Sequence, residues 1–349
     1  MNTSGMQPGI ALIHRDAFDQ SLSDTPFLYA DKTGRDDLEM RFEEYALALP
    51  SDERGGIDPG ILVERPCPLC GEAGGEVLFV KYRFPVNRCR SCGFVYASPI
   101  LDPEKIHAGY MEMGEISGHH LSMLTQDFYR ACALKRFEFE LQQVLLHAPR
   151  PMKTYLEIGC SVGAGLEVAG SYGLEALGIE PNADAAAIAL NQGHSVIVDV
   201  FKPEGLNGKR FDVVTCMDVI EHLTDPVGFM AQILSVLSDD GLALIQVPNV
   251  GALITLVEGA RNQIFNGLIH YNYFDCASLD LAAEKAGMSR VETISVLSEL
   301  GKLKQYPQQR ILDALSRERP DLVSGFVLHQ DWINSNGLGY KVIGIYKKA

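Results

Sequence analysis

Four cysteines are the residues whose types and spacing point most directly to chemistry. They form two C-x2-C pairs, "CPLCG" and "CRSCG", and each pair is followed by a glycine. Glycine in that place allows the backbone to turn its amide groups toward thiolate sulfur. Four thiolates leave no open position on the metal, so the pattern predicts a structural zinc ribbon. The predicted Zn²⁺ ligands are Cys67, Cys70, Cys89 and Cys92.

The other four of the eight cysteines are scattered along the chain. An iron–sulfur cluster and four unrelated buried thiols are the alternatives to zinc at the paired cysteines, but turns bounded by strand-like sequence favour the ribbon. In small modules such a metal contributes on the order of 10 kcal/mol to folding. Cys160 is interpreted as a packing residue beside a turn, not as a reactive thiol.

A second candidate site is the glycine-rich turn in "YLEIGCSVGAG". Glu157 precedes Gly159, and Gly163 follows four residues later. A P-loop is excluded because no Lys followed by Ser or Thr begins the next helix. The match to a dinucleotide fingerprint is partial, because Ser161 stands where the middle glycine belongs. The turn is therefore only a partial match to a dinucleotide-binding loop.

S-adenosylmethionine suits the turn and the two acids that flank it. Glu180 ends the next apolar run, where a carboxylate can accept hydrogen bonds from both ribose hydroxyls. Charge-assisted hydrogen bonds of this type contribute roughly 1.5 to 3 kcal/mol each. Glu157 would lie near the cationic amino-acid end of the cofactor, whereas it would repel a pyrophosphate. The small residues Gly159, Ser161 and Gly163 would let the backbone approach the cofactor.

The elements that position these residues alternate as strand, turn and helix after Lys153. Such alternation predicts an α/β fold with a parallel sheet covered by helices on both faces. "SRVETISV" and the final "GYKVIGIYKKA" are expected to add a terminal antiparallel pair. The predicted divisions are an N-terminal extension (1–62), the zinc ribbon (63–99), a helical linker or lid (100–150) and the main domain (151–349) with an insertion at about 298–337.

Composition restricts the possible partners. The chain has 349 residues, 46% of them hydrophobic, and a formal net charge of −15. A long nucleic-acid surface is disfavoured because it requires clustered Lys and Arg. No apolar run approaches the roughly 20 residues of a membrane helix, so a cytoplasmic location with no membrane partner is expected.

From about residue 153 to 349 the chain resembles the class I S-adenosylmethionine-dependent methyltransferases. The resemblance is carried by "LEIGCSVG", "GIEP", "FDVVTCMDVIEHLTDP", "GLALIQVPN" and "HYNYFDCASLDLAAEKAGM", in that order. It implies a doubly wound, mostly parallel, seven-stranded Rossmann-like sheet. By the same resemblance Asp199 would face the adenine, while Met217 and Asp218 would line the cofactor at the end of the fourth strand. A solvated loop acid is the alternative for Asp199.

Candidates for catalysis follow the fourth strand and the downstream segment. His222 follows that strand in "DVIEH" and, since imidazole titrates near neutrality, could remove a proton from the acceptor. His270, with Tyr271 and Tyr273, forms a second candidate cluster. A structural histidine is the alternative for His222, and a hydrophobic helix entry for the His270 cluster. Resemblance to ubiquinone-pathway O-methyltransferases suggests that Glu221 and His222 could instead bind a divalent ion.

The expected acceptor is a small molecule. A zinc ribbon ahead of this domain resembles deoxysugar C-methyltransferases and enzymes of natural-product or surface-polysaccharide pathways, which suggests a sugar nucleotide or secondary metabolite. Methylation at O, N or C stays open, as does the oligomeric state. His119 and His120 in the linker could belong to a lid. A nucleic-acid methyltransferase and a non-catalytic cofactor-binding scaffold are the alternative functions; the first often has an Asn/Asp-Pro-Pro-aromatic motif where this chain has "MDVIEH".

Overall fold

A computed structural model describes residues 11–23, 35–102, 121–122 and 124–349. The two linker histidines considered as part of a lid, His119 and His120, lie outside the described residues. Within the described ranges, no helix is both long and apolar enough to cross a membrane.

The N-terminal part contains short strands that build the cysteine module. Its elements in chain order are α1 (Arg15–Ser23), α2 (Arg35–Ala48), β1 (Leu62–Val63), β2 (Gly75–Lys81), β3 (Phe84–Cys89), β4 (Val95–Ala97) and β5 (Ile100–Leu101). Strands β2, β3 and β4 pair antiparallel, as do β1 and β5. Tyr82 and Arg83 connect β2 to β3 with φ values of 50° and 70°, the left-handed pair typical of a two-residue hairpin.

The remaining elements alternate between strands and helices. They are α3 (Asp127–Leu146), β6 (Thr154–Ile158), α4 (Ala164–Ser171), β7 (Glu175–Ile179), α5 (Ala183–Asn191), β8 (Val196–Ile197), β9 (Phe211–Met217), α6 (Pro226–Val236), β10 (Leu237–Pro248), α7 (Leu253–Glu258), β11 (Asn272–Tyr273), α8 (Cys276–Lys285), β12 (Met288–Val296), α9 (Leu300–Leu303), α10 (Gln308–Glu318), α11 (Gln330–Ser335) and β13 (Lys341–Lys348).

The main sheet of the described chain has seven strands in the order β12-β13-β10-β9-β6-β7-β8. All neighbouring pairs from β10 to β8 are parallel, whereas β13 runs antiparallel to both β10 and β12. The prediction of a doubly wound, mostly parallel seven-stranded sheet with a terminal antiparallel pair is confirmed. Strand order reverses between β6 and β9, and ligands of open α/β sheets bind at the carboxyl ends of strands beside such a point.

The sheet is buried on both faces. Every residue of β9 is buried, as expected for a central parallel strand covered on each side. Successive residues of β6 alternate between two cores, with Tyr155 in one and Leu156 in the other. This rigid support fixes where the loops at the carboxyl edge begin.

Helix α1 packs onto the main domain. Phe18 stacks on Phe139 with ring centroids 4.1 Å apart. Asp19 is buried and accepts hydrogen bonds from the Ser298 backbone N–H (3.0 Å) and Asn334 Nδ2 (2.8 Å). The described part of the N-terminal extension therefore contacts the insertion, and the four-part division of the chain stays a prediction.

The insertion at about 298–337 contributes α9, α10 and α11. Its apolar residues Ile311 and Leu315 share a core with Val86 and Val95 of the ribbon sheet. The insertion thus covers one side of the ribbon.

Candidate functional site

The two cysteine pairs form matching turns. In the first, the Gly71 N–H donates to the Cys67 carbonyl over 2.8 Å; in the second, the Gly93 N–H donates to the Cys89 carbonyl over 3.0 Å. Both glycines have φ of 76°, a left-handed conformation that disfavours side chains. The glycine after each pair therefore supplies the left-handed backbone conformation that closes the turn.

The geometry of the four sulfur atoms suits a single metal ion. Cys67 Sγ lies 3.5 Å from Cys92 Sγ, Cys70 Sγ lies 3.4 Å from Cys89 Sγ, and all four lie within 4.8 Å of one another. Tetrahedral Zn²⁺ with bonds of about 2.3 Å places its sulfur ligands about 3.8 Å apart. Burial acts to raise the pKa of the Cys89 thiol, but backbone N–H groups of Cys92 and Ser91 hold it at about 7. The cluster fits zinc bound by thiolates.

The glycine-rich turn follows β6 and begins α4. Gly159 and Gly163 have φ of 79° and 89°, and a Cβ on Gly159 would come within 2.8 Å of Val219 Cγ2. A Cβ on Gly163 would likewise lie 2.8 Å from the ring of His194. Both positions thus require glycine for backbone conformation and for space.

Glu180 ties this turn to the loop after β7. Its Oε2 accepts from the Ser161 N–H over 2.9 Å, and its Oε1 accepts from the Asn182 N–H over 2.8 Å. Burial raises the pKa of Glu180, while these two donors partly oppose the rise. Each carboxylate oxygen retains a second lone pair that can accept from a ligand hydroxyl.

Glu157 is the other acid of the turn and is only 2% exposed. Its Oε2 accepts no hydrogen bond from any described residue. Burial, with the nearby charge of Glu140, raises the pKa of Glu157 well above its usual value. A buried acceptor without a donor is costly, and a cationic group of a ligand would satisfy it. Gly165 accommodates this side chain, because a Cβ there would lie 2.5 Å from Oε2.

Asp218 follows β9 in a left-handed conformation and binds cationic side chains. It accepts from Lys341 Nζ (2.5 Å) and Arg136 (3.4 Å), and from Gln246 Nε2 (3.3 Å). Burial acts to raise its pKa, but the charges of Lys341 and Arg136 hold the pKa at about 2. Its neighbour Met217 is buried at the end of the strand.

Sequence reasoning missed Lys341, Arg136 and Glu140, because they come from β13 and α3 and no local motif marks them. Glu140 is 1% exposed, and neither of its carboxylate oxygens has a hydrogen-bond partner among the described residues. Burial raises its pKa to about 8, against the opposing charge of Arg136. For Glu140 the only signal in the sequence was an acid among the apolar residues of "RFEFELQQVLL".

His222 lies in a short 3-10 turn, Ile220–His222, directly after β9 and Asp218. Its Nδ1 lies 2.8 Å from the Ile269 carbonyl. A carbonyl can only accept, so Nδ1 carries the proton and Nε2 is the nitrogen that can take one. Burial lowers the pKa of His222, which keeps the ring neutral near pH 7.

His270 has the same arrangement. Its Nδ1 donates to the Ile264 carbonyl over 2.9 Å, and its ring centroid lies 4.8 Å from that of His222. Burial lowers its pKa to about 3. The structure therefore brings the two candidate histidines together, each oriented by a backbone carbonyl.

Glu221 completes this group. It is 2% exposed, and neither carboxylate oxygen has a hydrogen-bond partner in the described part of the chain. Burial, together with the charge of Asp218, raises its pKa to about 8. One potential ligand atom from each of Glu221, His222 and His270 lies within 4.8 Å of the other two. The three side chains could hold a cation.

The side chains of Tyr273 and Asp199 both make contacts within the protein. The Tyr273 hydroxyl donates to the His270 carbonyl over 2.9 Å, and burial raises its pKa. This contact supports His270.

Asp199 is exposed, accepts from the Val200 N–H over 2.7 Å and lies 3.8 Å from Lys202 Nζ. Its assignment to the adenine stays a prediction.

Two further residues missed by sequence reasoning support the His222 loop. Asn272 Nδ2 donates to the carbonyls of Ile220 (2.9 Å) and Leu223 (2.7 Å). Arg65 donates to Asn272 Oδ1 over 2.6 Å. A polar residue inside the aromatic run "HYNYF" was the only signal for Asn272.

With this geometry in place, comparison with known proteins defines the class. The profile of a family described as a methyltransferase domain matches residues 110–293, more than half of the chain. The chain belongs to this methyltransferase domain family.

Among its curated relatives is the ubiquinone biosynthesis O-methyltransferase of Bradyrhizobium sp. (strain ORS 278), which is 28% identical over 140 residues, covering 38% of this chain and 53% of the relative. The protein of the same name from Burkholderia thailandensis is 30% identical over 110 residues, covering 30% of this chain and 47% of the relative. The chain spans about half the length of the curated relatives it matches.

Solved structures with a similar chain trace include a SAM-dependent methyltransferase from Archaeoglobus fulgidus, with 17% identity, a TM-score of 0.43, and coverage of 62% of this chain and 94% of that one. Another is a Thermotoga maritima SAM-dependent methyltransferase described as a possible histamine N-methyltransferase, with 17% identity, a TM-score of 0.43, and coverage of 66% and 99%.

Proposed function

We propose that this chain is an S-adenosylmethionine-dependent methyltransferase that acts on a small molecule, with a structural zinc site in its N-terminal ribbon. The observation that carries the proposal is the contact between the glycine-rich turn and the His222 loop. Gly159 lies against Val219, three residues before His222, at the carboxyl edge of the sheet. A donor held by the turn would therefore have its reactive end beside an oriented imidazole.

The cofactor-binding part of the proposal rests on the two buried acids. The carboxylate oxygens of Glu180 can accept from the ribose hydroxyls, and Glu157 can accept from the cationic amino group. When bound, the cofactor supplies an activated methyl group on a sulfonium. Gly159, Ser161 and Gly163 leave the backbone open to close approach.

His222 has the geometry of a general base. The acceptor proton would pass to Nε2 as the acceptor atom forms its bond to the methyl carbon and S-adenosylhomocysteine departs. The Ile269 carbonyl holds the Nδ1–H tautomer throughout, and it stabilises the imidazolium that results. His270, with a pKa of about 3, stays neutral.

The acceptor proposed is a sugar nucleotide or a secondary metabolite that loses a proton on methylation. The names of the curated relatives favour a hydroxyl acceptor, since they are O-methyltransferases of ubiquinone biosynthesis. A base beside the methyl donor suits a hydroxyl or an acidic carbon.

A divalent cation at Glu221, His222 and His270 is a second candidate role for the same residues. Its support is the group of potential ligand atoms within 4.8 Å and the unpartnered carboxylate of Glu221. In that case an acceptor oxygen would bind the cation, and activity would require the metal. Complete activity after dialysis against EDTA, with ribbon zinc retained, would exclude this role.

The direct test is transfer of a radiolabelled methyl group from S-adenosylmethionine to a panel of sugar nucleotides, phenols and a short DNA duplex. We expect label in a small-molecule acceptor. Label in the DNA would support the nucleic-acid alternative. No transfer to any member of this panel, with intact S-adenosylhomocysteine binding, would support the scaffold alternative.

A further inference from the structure

We propose that the zinc ribbon positions the His222 turn, defined as residues Ile220–Leu223, and that Arg65 and Asn272 are the positioning residues that connect them. The significance of the His222 turn rests on the proposed function. The contacts themselves do not depend on it.

The first step is a strand shared between the ribbon and the methyltransferase part. Strand β11 forms the edge of the ribbon sheet and pairs antiparallel with β4, with Asn272 opposite Tyr96. The Ala97 N–H donates to the Tyr271 carbonyl over 2.8 Å. Strand β4 begins three residues after Cys92, so the second cysteine turn determines where this pairing takes place.

In the second step, the side chain of Asn272, which is 1% exposed, connects this strand to the His222 turn. Its Nδ2 donates to the Ile220 and Leu223 carbonyls, at 2.9 and 2.7 Å, and so bridges the two ends of the His222 turn. Its Oδ1 accepts from Arg65 over 2.6 Å. Arg65 thereby fixes which way the amide faces, because rotation of the amide by half a turn would place its NH₂ against the guanidinium.

The third step is the position of Arg65, two residues before Cys67. Arg65 also donates to the Tyr271 carbonyl over 3.0 Å. Residues 269–272 also contact the His222 turn directly. The Tyr271 N–H donates to the Glu221 carbonyl, and the Ile269 carbonyl accepts from His222 Nδ1, each over 2.8 Å. Movement of the ribbon therefore changes the backbone that orients the imidazole.

This arrangement assigns the ribbon a role beyond its own stability. Without Arg65 the Asn272 amide loses the contact that fixes its orientation, and the His222 turn loses its bridge. The ring then leaves the Ile269 carbonyl and samples both tautomers. The glycine-rich turn that binds the cofactor makes none of these contacts with Arg65 or Asn272 in the described chain, so donor binding should be unaffected.

The test uses Arg65→Ala, and Asn272→Asp, which keeps the acceptor for Arg65 but replaces the donor to the two carbonyls. Arg88→Ala is the matched control, since Arg88 is a ribbon arginine whose side chain pairs with Glu318 at the surface. The histidine ¹⁵N NMR spectrum at pH 8 reports the tautomer of His222. Hydrogen exchange reports the amides of His222 and Tyr271, and calorimetry measures S-adenosylhomocysteine binding.

In both test variants we expect mixed His222 tautomers, amide exchange at least tenfold faster, and S-adenosylhomocysteine affinity within twofold of wild type. The control should match wild type in all three. A retained Nδ1–H tautomer with unchanged exchange would overturn the inference, as would equal loosening in Arg88→Ala. If Arg65→Ala does not fold, the results for Asn272→Asp test the inference. Failure of the wild-type chain to bind S-adenosylhomocysteine would instead contradict the proposed function. The two failures can be told apart, because the NMR measurement of the His222 tautomer needs no cofactor.

Discussion

At the scale of single residues, the site is built from buried acids and neutral histidines. Glu157, Glu221 and Glu140 each keep at least one carboxylate oxygen without a donor among the described residues. Burial raises the pKa of all three. Unpaired buried acceptors lower stability, and such groups concentrate at functional sites. Ligand binding would offset part of that cost at Glu157.

The base role of His222 predicts a specific kinetic change. His222→Gln should lower turnover by roughly 10²- to 10⁴-fold, the usual contribution of a general base, while cofactor affinity stays within twofold. Steady-state rates with the identified acceptor and calorimetry with S-adenosylhomocysteine measure the two effects. Unchanged turnover in His222→Gln would exclude the base.

The same residue determines the dependence of activity on pH. Burial lowers the pKa of His222, so its neutral form persists below the ordinary value of about 6.5. The wild-type kcat/KM should therefore fall only as the pH drops through a midpoint below about 6.5. A midpoint above 7 would show that the activity depends on the titration of a group other than His222.

Sequence reasoning at this scale succeeded where chemistry is local in the chain. The two cysteine pairs come together as predicted, because a short motif determines that arrangement. It missed Lys341 and Arg136, which reach Asp218 from distant elements. No pattern within a single segment records that kind of contact.

At the scale of elements, Asp212 near the start of β9 joins this strand to the start of β6. It accepts from the Lys153 N–H (2.8 Å) ahead of β6, and from Arg150 (2.6 Å). Burial acts to raise its pKa, but these donors lower the pKa to about 2. The folded state therefore favours the charged form of this carboxylate.

Asp212→Asn should lower the free energy of unfolding by about 2 kcal/mol at pH 7. Because the folded pKa is depressed, the stabilisation is complete above the unfolded pKa of about 4 and is lost as the pH falls toward about 2. Urea unfolding at pH 7 and pH 3 should show the difference from wild type shrinking by about half at the lower pH. The control is Asp240→Asn, an exposed partner of Arg150, which should change stability little. An equal effect at both pH values would contradict this explanation.

The ribbon makes a separate prediction about metal content. Purified protein should contain about one equivalent of zinc, and Cys70→Ser should remove most of it, since three thiolates hold the ion less tightly than four. Elemental analysis measures both. Cys132→Ser changes a cysteine of α3 outside the cluster and should leave the zinc content unaltered. Iron in place of zinc, or less than half an equivalent in the wild type, would count against the assignment.

Element boundaries show where prediction from sequence reaches its limit. The parallel strands could be anticipated, because apolar runs alternate with glycine turns and helix-like segments. Pairing of β11 with the ribbon could not be, since a two-residue strand has no periodicity to detect. The short helices α9 and α11 of the insertion could not be predicted either, because burial against the ribbon core stabilises them more than local sequence does.

At the scale of the whole molecule, the net charge of −15 argues against a nucleic-acid substrate. Proteins that bind DNA gain affinity by neutralising phosphates, which makes their binding weaken steeply with salt. A gel shift with a 30-base-pair duplex should show no complex at micromolar protein in low salt. A complex whose affinity falls steeply between 50 and 200 mM salt would favour the nucleic-acid alternative.

The most direct test of the central claim is calorimetry of S-adenosylhomocysteine binding to the wild type and to Glu180→Gln. The wild type should bind, and the variant should bind roughly 10- to 150-fold more weakly, as expected for loss of one charge-assisted hydrogen bond of about 1.5 to 3 kcal/mol. Glu175→Gln, at the exposed opposite end of β7, should bind as the wild type does. No binding by the wild type, or equal binding by Glu180→Gln, would contradict the account.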